Sequence, residues 1–448
     1  MPESVAEEDH IRLGRALAAF RDLLEAVEEL AAFAEEHVPQ LDDELAVMKA
    51  LIAKELPATA PEVIEATLPA FSSLFKKIIE APEAVDVSET ESDDAPVDAV
   101  DAPKSRWDDL LALFSDPKEV PSYIVSWARA RNRTPRVSLL NDALLTTAVA
   151  GFEVLVAKTV REFFRLRPQA LRTDEFRYSL SDIEGFQSLD EFRDSCAERI
   201  SESLLRGGLD DWMEWFQKRL KISIADVSPN PVELREVFQR RHLLVHNGGE
   251  VNRLYLIKME GMADPPELGD RLIVDSHYLQ AAIDKLSVAG VLLISRVMRS
   301  VVATQGDRHP ADGLVQDQAF ESLQNGRHHI TIALVDATLD SCLSDYLKLT
   351  MKVNRWIAIK EQRGLREIET EVRVWQTEAL QPRFELAKLA LLDQHEAALE
   401  LGRKLIASSD LSIEEWTTWP LLTGVRGYEA THSSPESIVT GDAGVERT

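Results

Sequence analysis

Residues 138–166, SLLNDALLTTAVAGFEVLVAKTVREFFRL, set the tightest limit on what this chain can fold into. The stretch runs 29 residues without a proline, and its apolar residues recur at three- and four-residue spacing. That period is helical. The apolar face is also wider than a helix lying on a surface can tolerate, so this helix needs neighbours on several sides. The rest of the chain offers partners of the same kind, and the expected fold class is all-α, in more than one domain.

Residues 1–80 read as a small helical bundle or hairpin. HIRLGRALAAFRDLLEAVEELAAFAEEH and QLDDELAVMKALIAKEL carry Leu, Ala and Phe at helical spacing, and EVIEATLPAFSSLFKKII follows Pro61. Their alanine-rich stripes are interrupted too often for sustained heptads, so a coiled-coil partner helix is the less favoured reading. Residues 81–106 are acidic, rich in Ala, Pro, Ser and Asp, and free of aromatics. Such a segment buries too little to fold, and it reads as an extended linker. Its aspartates lack the glycine and spacing of a calcium loop. Residues 107–302 form the densest helical region. Residues 314–430 are helical again, and RFELAKLALLDQHEAALELGRKLI within them resembles one helical hairpin of the tetratricopeptide type. No second copy stands at the required period, so a solenoid is only an option. Residues 431–448 read as a disordered tail.

Composition narrows the function classes. The 448 residues carry a formal net charge of -27. A surface that acidic repels nucleic acid at long range and argues against passive coating of DNA or RNA, while leaving room for a small basic site. Two cysteines, Cys196 and Cys342, make no disulfide scaffold and fit a reducing, cytoplasmic setting. The N-terminal MPESVAEEDH has no secretory pattern. The longest apolar run, near VAGVLLISRVM, is about half of a membrane span and carries an arginine, so it reads as a buried helix and no membrane is expected.

No phosphate-binding GxxxxGK[ST] loop, GxGxxG turn or GxSxG elbow occurs. His328 and His329 are adjacent, so on a helix they point apart, and no metal or other cofactor is expected. The tryptophans of DDWMEWF and EEWTTWP sit at helical spacing and read as packing residues, with stacking on a ligand a minor option for exposed ones.

The segment that carries chemistry is PVELREVFQRRHLLVHNGG, residues 231–249. Proline opens a helix where its missing N–H costs little, and Gly248 and Gly249 stop it. His242 and His246, four apart, share a face, whereas Arg241 and His246, five apart, are turned by ~140°. His246 lies at the negative end of the helix dipole, which favours the imidazolium. A histidine near neutrality serves as a general acid or base, and a neighbouring arginine grips phosphate. The same residues also make an ordinary, well-terminated surface helix.

Residues 241–246, Arg-His-Leu-Leu-Val-His, resemble the R-x4-6-H motif of HEPN domains. The longer FQRRHLLVHNGGEVNRLYL, followed by GDRLIVDSHYLQAAI and preceded by FEVLVAKTVREFF, is similar to the RiboL-PSP-HEPN branch over roughly residues 135–302. The resemblance implies an all-helical domain that forms a homodimer with two motifs in one composite cleft. It also implies a metal-independent endoribonuclease of phage defence or a toxin–antitoxin system, leaving 2′,3′-cyclic phosphate ends.

On that resemblance Arg241 and His246 are the catalytic pair. His242 shares the proton or positions phosphate, Asn247 orients the loop or substrate, and Glu153 holds Arg241. Arg240 offers an alternative six-residue spacing. The implied partners are an RNA substrate, a second copy of the chain, and a regulatory protein or antitoxin. The flanking helical regions would restrain the enzyme. The competing expectation is a non-catalytic helical scaffold that only dimerises or binds RNA or protein.

Overall fold

The computed structural model describes residues 3–80, 106–171, 178–304 and 309–432. Most of the segment read as a linker (81–105) and of the tail (433–448) therefore lies outside the described residues. The described ends of both readings are helical: Arg106 opens one helix, and Thr431 and His432 close another. Every regular element among the described residues is a helix, and no strand occurs apart from one isolated antiparallel bridge, Glu250–Arg271. The all-α class expected from periodicity is what the chain adopts.

The N-terminal helices are α1 (Glu3–His37), α2 (Glu44–Glu55), α3 (Pro61–Glu80), α4 (Arg106–Leu111), α5 (Val120–Arg131) and α6 (Arg136–Leu166). The chain forms two compact units, and they do not follow the sequence segments. Of the described residues, those within 26–147 and 272–280 make one unit, and those within 3–25, 148–271 and 281–432 make the other. Helix α1 thus belongs to the larger unit up to Glu25 and to the smaller one from Ala26. Apolar periodicity identifies a helix. It does not say which neighbour each part of a 35-residue helix will meet.

The smaller unit has its own core of Met48, Ile52, Ile64, Phe71, Phe75, Tyr123 and Trp127. Phe75 meets Trp127 edge-on at 5.0 Å and Phe71 meets Tyr123 edge-on at 5.3 Å, while Phe71 and Phe75 stack on each other. Pro69 sits inside α3 without ending it. Arg136 donates to the Asp42 carboxylate at 2.9 Å and ties the start of α6 to the loop before α2.

The larger unit continues with α7 (Leu180–Glu184), α8 (Leu189–Leu205), α9 (Leu209–Leu220), α10 (Ile224–Val227), α11 (Pro231–Asn247), α12 (Arg253–Lys258) and, from Ala281 onward, α13 (Ser276–Val301). Phe20 of α1 packs edge-on against Phe152 of α6 at 5.8 Å, and Phe152 meets Phe238 of α11 at 5.6 Å. Two glycines make this approach possible. A Cβ on Gly151 would collide with Leu23, and one on Gly290 of α13 would stand 2.9 Å from the Phe20 ring. Trp212 of α9 closes the cluster against Phe238 at 5.6 Å.

After α13 come α14 (Pro310–Gln324), α15 (His328–Thr338), α16 (Asp345–Arg363), α17 (Arg366–Arg373), α18 (Pro382–Leu391), α19 (His395–Ala407), α20 (Ile413–Thr418) and α21 (Thr423–His432). They share a core around Trp356, Leu386, Leu391 and Leu422. Helices α18 and α19 form the hairpin read from sequence, turning at Asp393, whose φ of 56° is left-handed.

One apolar stretch within Pro117–Leu166 is long and apolar enough to cross a membrane by length and composition. It lies in the α6 region, and among the described residues no other helix, α13 with its VAGVLLISRVM included, is long and apolar enough by the same measure. The Leu, Val, Ala and Phe of α6 keep its mean hydropathy high although Thr, Gly and Glu interrupt them. Of that window, 61% is buried within the protein, as in the central helix of a packed bundle.

Candidate functional site

Helix α11 is built to end where it does. Asn230 caps it, accepting from the Glu233 amide at 3.3 Å, with Pro231 at the first helical position. At the other end Gly248 adopts φ 60° and ψ 25°, and the amides of Gly248 and Gly249 both return to the Leu243 carbonyl. The last helical residue is Asn247, one beyond His246. Asn247 Nδ2 donates to the Glu250 carbonyl at 2.6 Å and so closes the turn that follows the helix.

The next segment is pinned by backbone bonds. Val251 N–H donates to the Asp270 carbonyl at 2.8 Å, and Gly269 N–H donates to the Val251 carbonyl at 2.9 Å. Asn252 caps α12 by accepting from the Tyr255 amide.

The two arginines face different carboxylates. Arg240 donates through Nε to Glu236 Oε1 at 2.7 Å, and both side chains are nearly buried. Tyr255 from α12 donates its hydroxyl to the same oxygen at 3.1 Å. Burial first, and the Glu236 charge second, push the Tyr255 hydroxyl far above its ordinary range, so it remains a donor. Arg240 is therefore part of an internal Arg–Glu–Tyr network.

Arg241 pairs through Nη2 with Glu153 of α6. The pair is about three-quarters buried, with 22% and 29% of the two side chains exposed. The Arg241 Nε is buried without a hydrogen-bond partner. The packing of Phe152 on Phe238 explains how Glu153 reaches α11, since it brings the two helices side by side one residue away.

His242 and His246 are exposed, and their rings lie 4.6 Å apart, tilted by 48°. Three neighbours act on His242. Desolvation lowers its pKa most, followed by the charges of His246, Lys258 and Arg241. Each works against the imidazolium, so His242 gives up its proton more readily than an ordinary histidine does.

The helix end thus holds a guanidinium anchored by a carboxylate, two exposed imidazoles tilted against each other, and an Asn247 amide fixed by the turn that follows. Sequence spacing brings out Arg241, His242, His246 and Asn247. It gives less notice of Glu236 and Tyr255. The Glu236–Arg240 spacing of four is visible in sequence, but nothing marks Tyr255, 19 residues after Glu236, as its partner. Among the described residues no group of three or more His, Cys, Asp or Glu side chains is arranged to hold a metal ion. No family model, no curated protein and no solved structure matches the chain.

Proposed function

We propose that the chain is a metal-independent endoribonuclease of the HEPN type, acting as a homodimer in phage defence or a toxin–antitoxin system. The observation that carries this reading is the pair of exposed imidazoles, 4.6 Å apart, at a helix end that also presents Arg241. Transesterification of RNA needs one group to take the proton of the 2′-hydroxyl and another to return a proton to the departing 5′-oxygen. The 2′-oxygen attacks the adjacent phosphorus and the P–O5′ bond breaks. The products are a 2′,3′-cyclic phosphate and a 5′-hydroxyl. His246 and a second imidazole share these transfers, while Arg241 stabilises the charge that builds on the phosphorus oxygens. The second imidazole is His242 or the His246 of a second copy. Asn247, held by its turn, orients the loop at the helix end.

Dimerisation is supported by Val154, Val245, Leu254 and Ile257, which are each more than half exposed. Val154 follows Glu153 and Val245 precedes His246, so apolar surface borders the polar site. A second copy seated there would bring two sets of Arg241, His242 and His246 into one cleft, a local basic patch within an acidic chain.

A non-catalytic scaffold is favoured by a different observation. Both arginines at the helix end already face carboxylates, Glu236 and Glu153, and carry little free charge for a phosphate. One experiment separates the readings. Purified protein is incubated with total RNA in EDTA, and the ends are mapped chemically. The expected result is cleavage leaving 2′,3′-cyclic phosphates, lost in His246→Ala and in Arg241→Ala. Equal turnover by the wild type and both variants sinks the catalytic reading.

A further inference from the structure

Two of the cations at the α11 helix end are committed. Arg240 is paired with Glu236 inside the protein, and Arg241 has Nη2 on Glu153. A phosphate arriving there would be attracted more strongly by a cation that no carboxylate holds.

Helix α12 carries one. Asn252 caps its start, accepting from the Tyr255 amide at 2.9 Å, and the Tyr255 hydroxyl on Glu236 ties its middle to α11. Lys258 ends the helix three residues later. Tyr255 is buried and Lys258 is exposed, and among the described residues the Lys258 ammonium has no ion pair or hydrogen bond. It nevertheless stands within electrostatic reach of His242. After desolvation, the influences that lower the His242 pKa are the charges of His246, Lys258 and Arg241, all of them cationic. With the two rings 4.6 Å apart, these side chains form one basic cluster on a chain of net charge -27. Its members repel one another when charged, and a bound anion relieves that repulsion. A lysine in the last turn also offsets the dipole of its own helix, but that role alone does not call for a place beside His242.

We infer that Lys258 is the phosphate-holding cation of this site, gripping the backbone of single-stranded RNA while the imidazoles beside it move protons. Its compact ammonium on a flexible stem can follow a phosphate group as the bonds to phosphorus change, whereas Arg241 is fixed by Glu153. The choice of RNA as the anion rests on the nuclease reading; the basic cluster does not.

The test is fluorescence anisotropy of the full chain with a labelled 2′-O-methyl RNA of about 12 nucleotides, which lacks the attacking hydroxyl and cannot be cut by the proposed reaction. Binding is measured from about 20 to 200 mM salt. Lys258→Gln is expected to weaken binding about fivefold at the lowest salt and to reduce the slope of log affinity against log salt by about 0.7. Lys258→Arg is expected to keep the slope. Arg363→Gln, which removes the same charge from the end of α16, is expected to keep it too. In Lys258→Gln the His242 midpoint, followed by NMR, is expected to rise. Wild-type affinity and slope in Lys258→Gln overturn the inference even if the chain cuts ordinary RNA, and so does an absence of binding by the wild type at the lowest salt. Weakened binding in Lys258→Gln together with an uncut ordinary RNA leaves the phosphate site standing and overturns the nuclease reading alone.

Discussion

Removing the carboxylate of Glu153 offers the sharpest test of how the helix end is held together. The Arg241–Glu153 pair joins α11 to α6 across 88 residues of sequence. Breaking a fully buried pair by deleting one partner costs ~3–5 kcal/mol, and a hydrogen bond to a charged group is worth about 1.5–3 kcal/mol. Here 22% and 29% of the side chains remain exposed, so water screens part of the loss. Glu153→Ala should therefore destabilise by about 2 kcal/mol. Arg241→Met should cost less, about 1 kcal/mol, because it also removes the unpartnered Nε. The double variant should fall short of the sum, leaving a coupling of about 1–2 kcal/mol. Both residues lie in the larger compact unit, so the urea transition assigned to that unit is the one to follow, by circular dichroism. A coupling below about 0.3 kcal/mol would mean that the two side chains do not interact in solution, and the anchoring argument would fail.

Three further outcomes follow from neighbouring residues. Arg240→Ala strips Glu236 of an ion-pair partner in a nearly buried network and should cost about 2–4 kcal/mol in urea unfolding, more than Glu153→Ala; a smaller cost would place Arg240 in solvent. Gly248→Ala puts a Cβ at φ 60° in otherwise open space and should cost about 1 kcal/mol of thermal stability, whereas Gly248→Asn should cost less; equal costs would contradict the left-handed cap. His242 should titrate below the ordinary histidine value of ~6.5 by NMR, and its midpoint should rise in His246→Gln. The linked stability is fully present above the ordinary value and is lost as the pH falls from there through the lowered one, because the unfolded chain takes up the proton first. An unshifted midpoint in both proteins would remove the electrostatic coupling of the two rings.

Helices are legible in this sequence because their signals are local. The three- and four-residue spacing in α6, the Asn230–Pro231 start of α11 and its glycine stop all act within a turn or two of chain. The assignment of residues to units is a different kind of fact. Helix α1 changes unit between Glu25 and Ala26, at a point where its amphipathic pattern continues. What decides the change is the surface each stretch finds, such as Phe20 and Leu23 against Gly151 and Gly290. Those glycines carry no helical signal of their own and count as weak breakers when read locally. Their value appears only when another helix passes within reach.

The same distinction runs through the site. His242 and His246 meet because four residues make one turn, and the ring contact is written in their spacing. Arg241 and Arg240 are neighbours of identical type, so spacing treats them alike, yet a turn of ~100° between them sends them to different carboxylates. Arg240 finds Glu236 one turn back on its own helix, while Arg241 finds Glu153 on another helix. Only the first of these partners has a local signal. The division has a chemical consequence for the proposed reaction. Arg240, with Tyr255 on the same carboxylate, is spent on holding α12 to α11. Arg241 has Nη2 committed to Glu153 and its Nε buried, so it cannot offer both nitrogens of that edge to a phosphate. A single nitrogen positions a phosphate less firmly than a bidentate fork. On the proposed mechanism, a second copy of the same helix end would add a second guanidinium at the phosphate, which would tie the rate of cleavage to dimerisation.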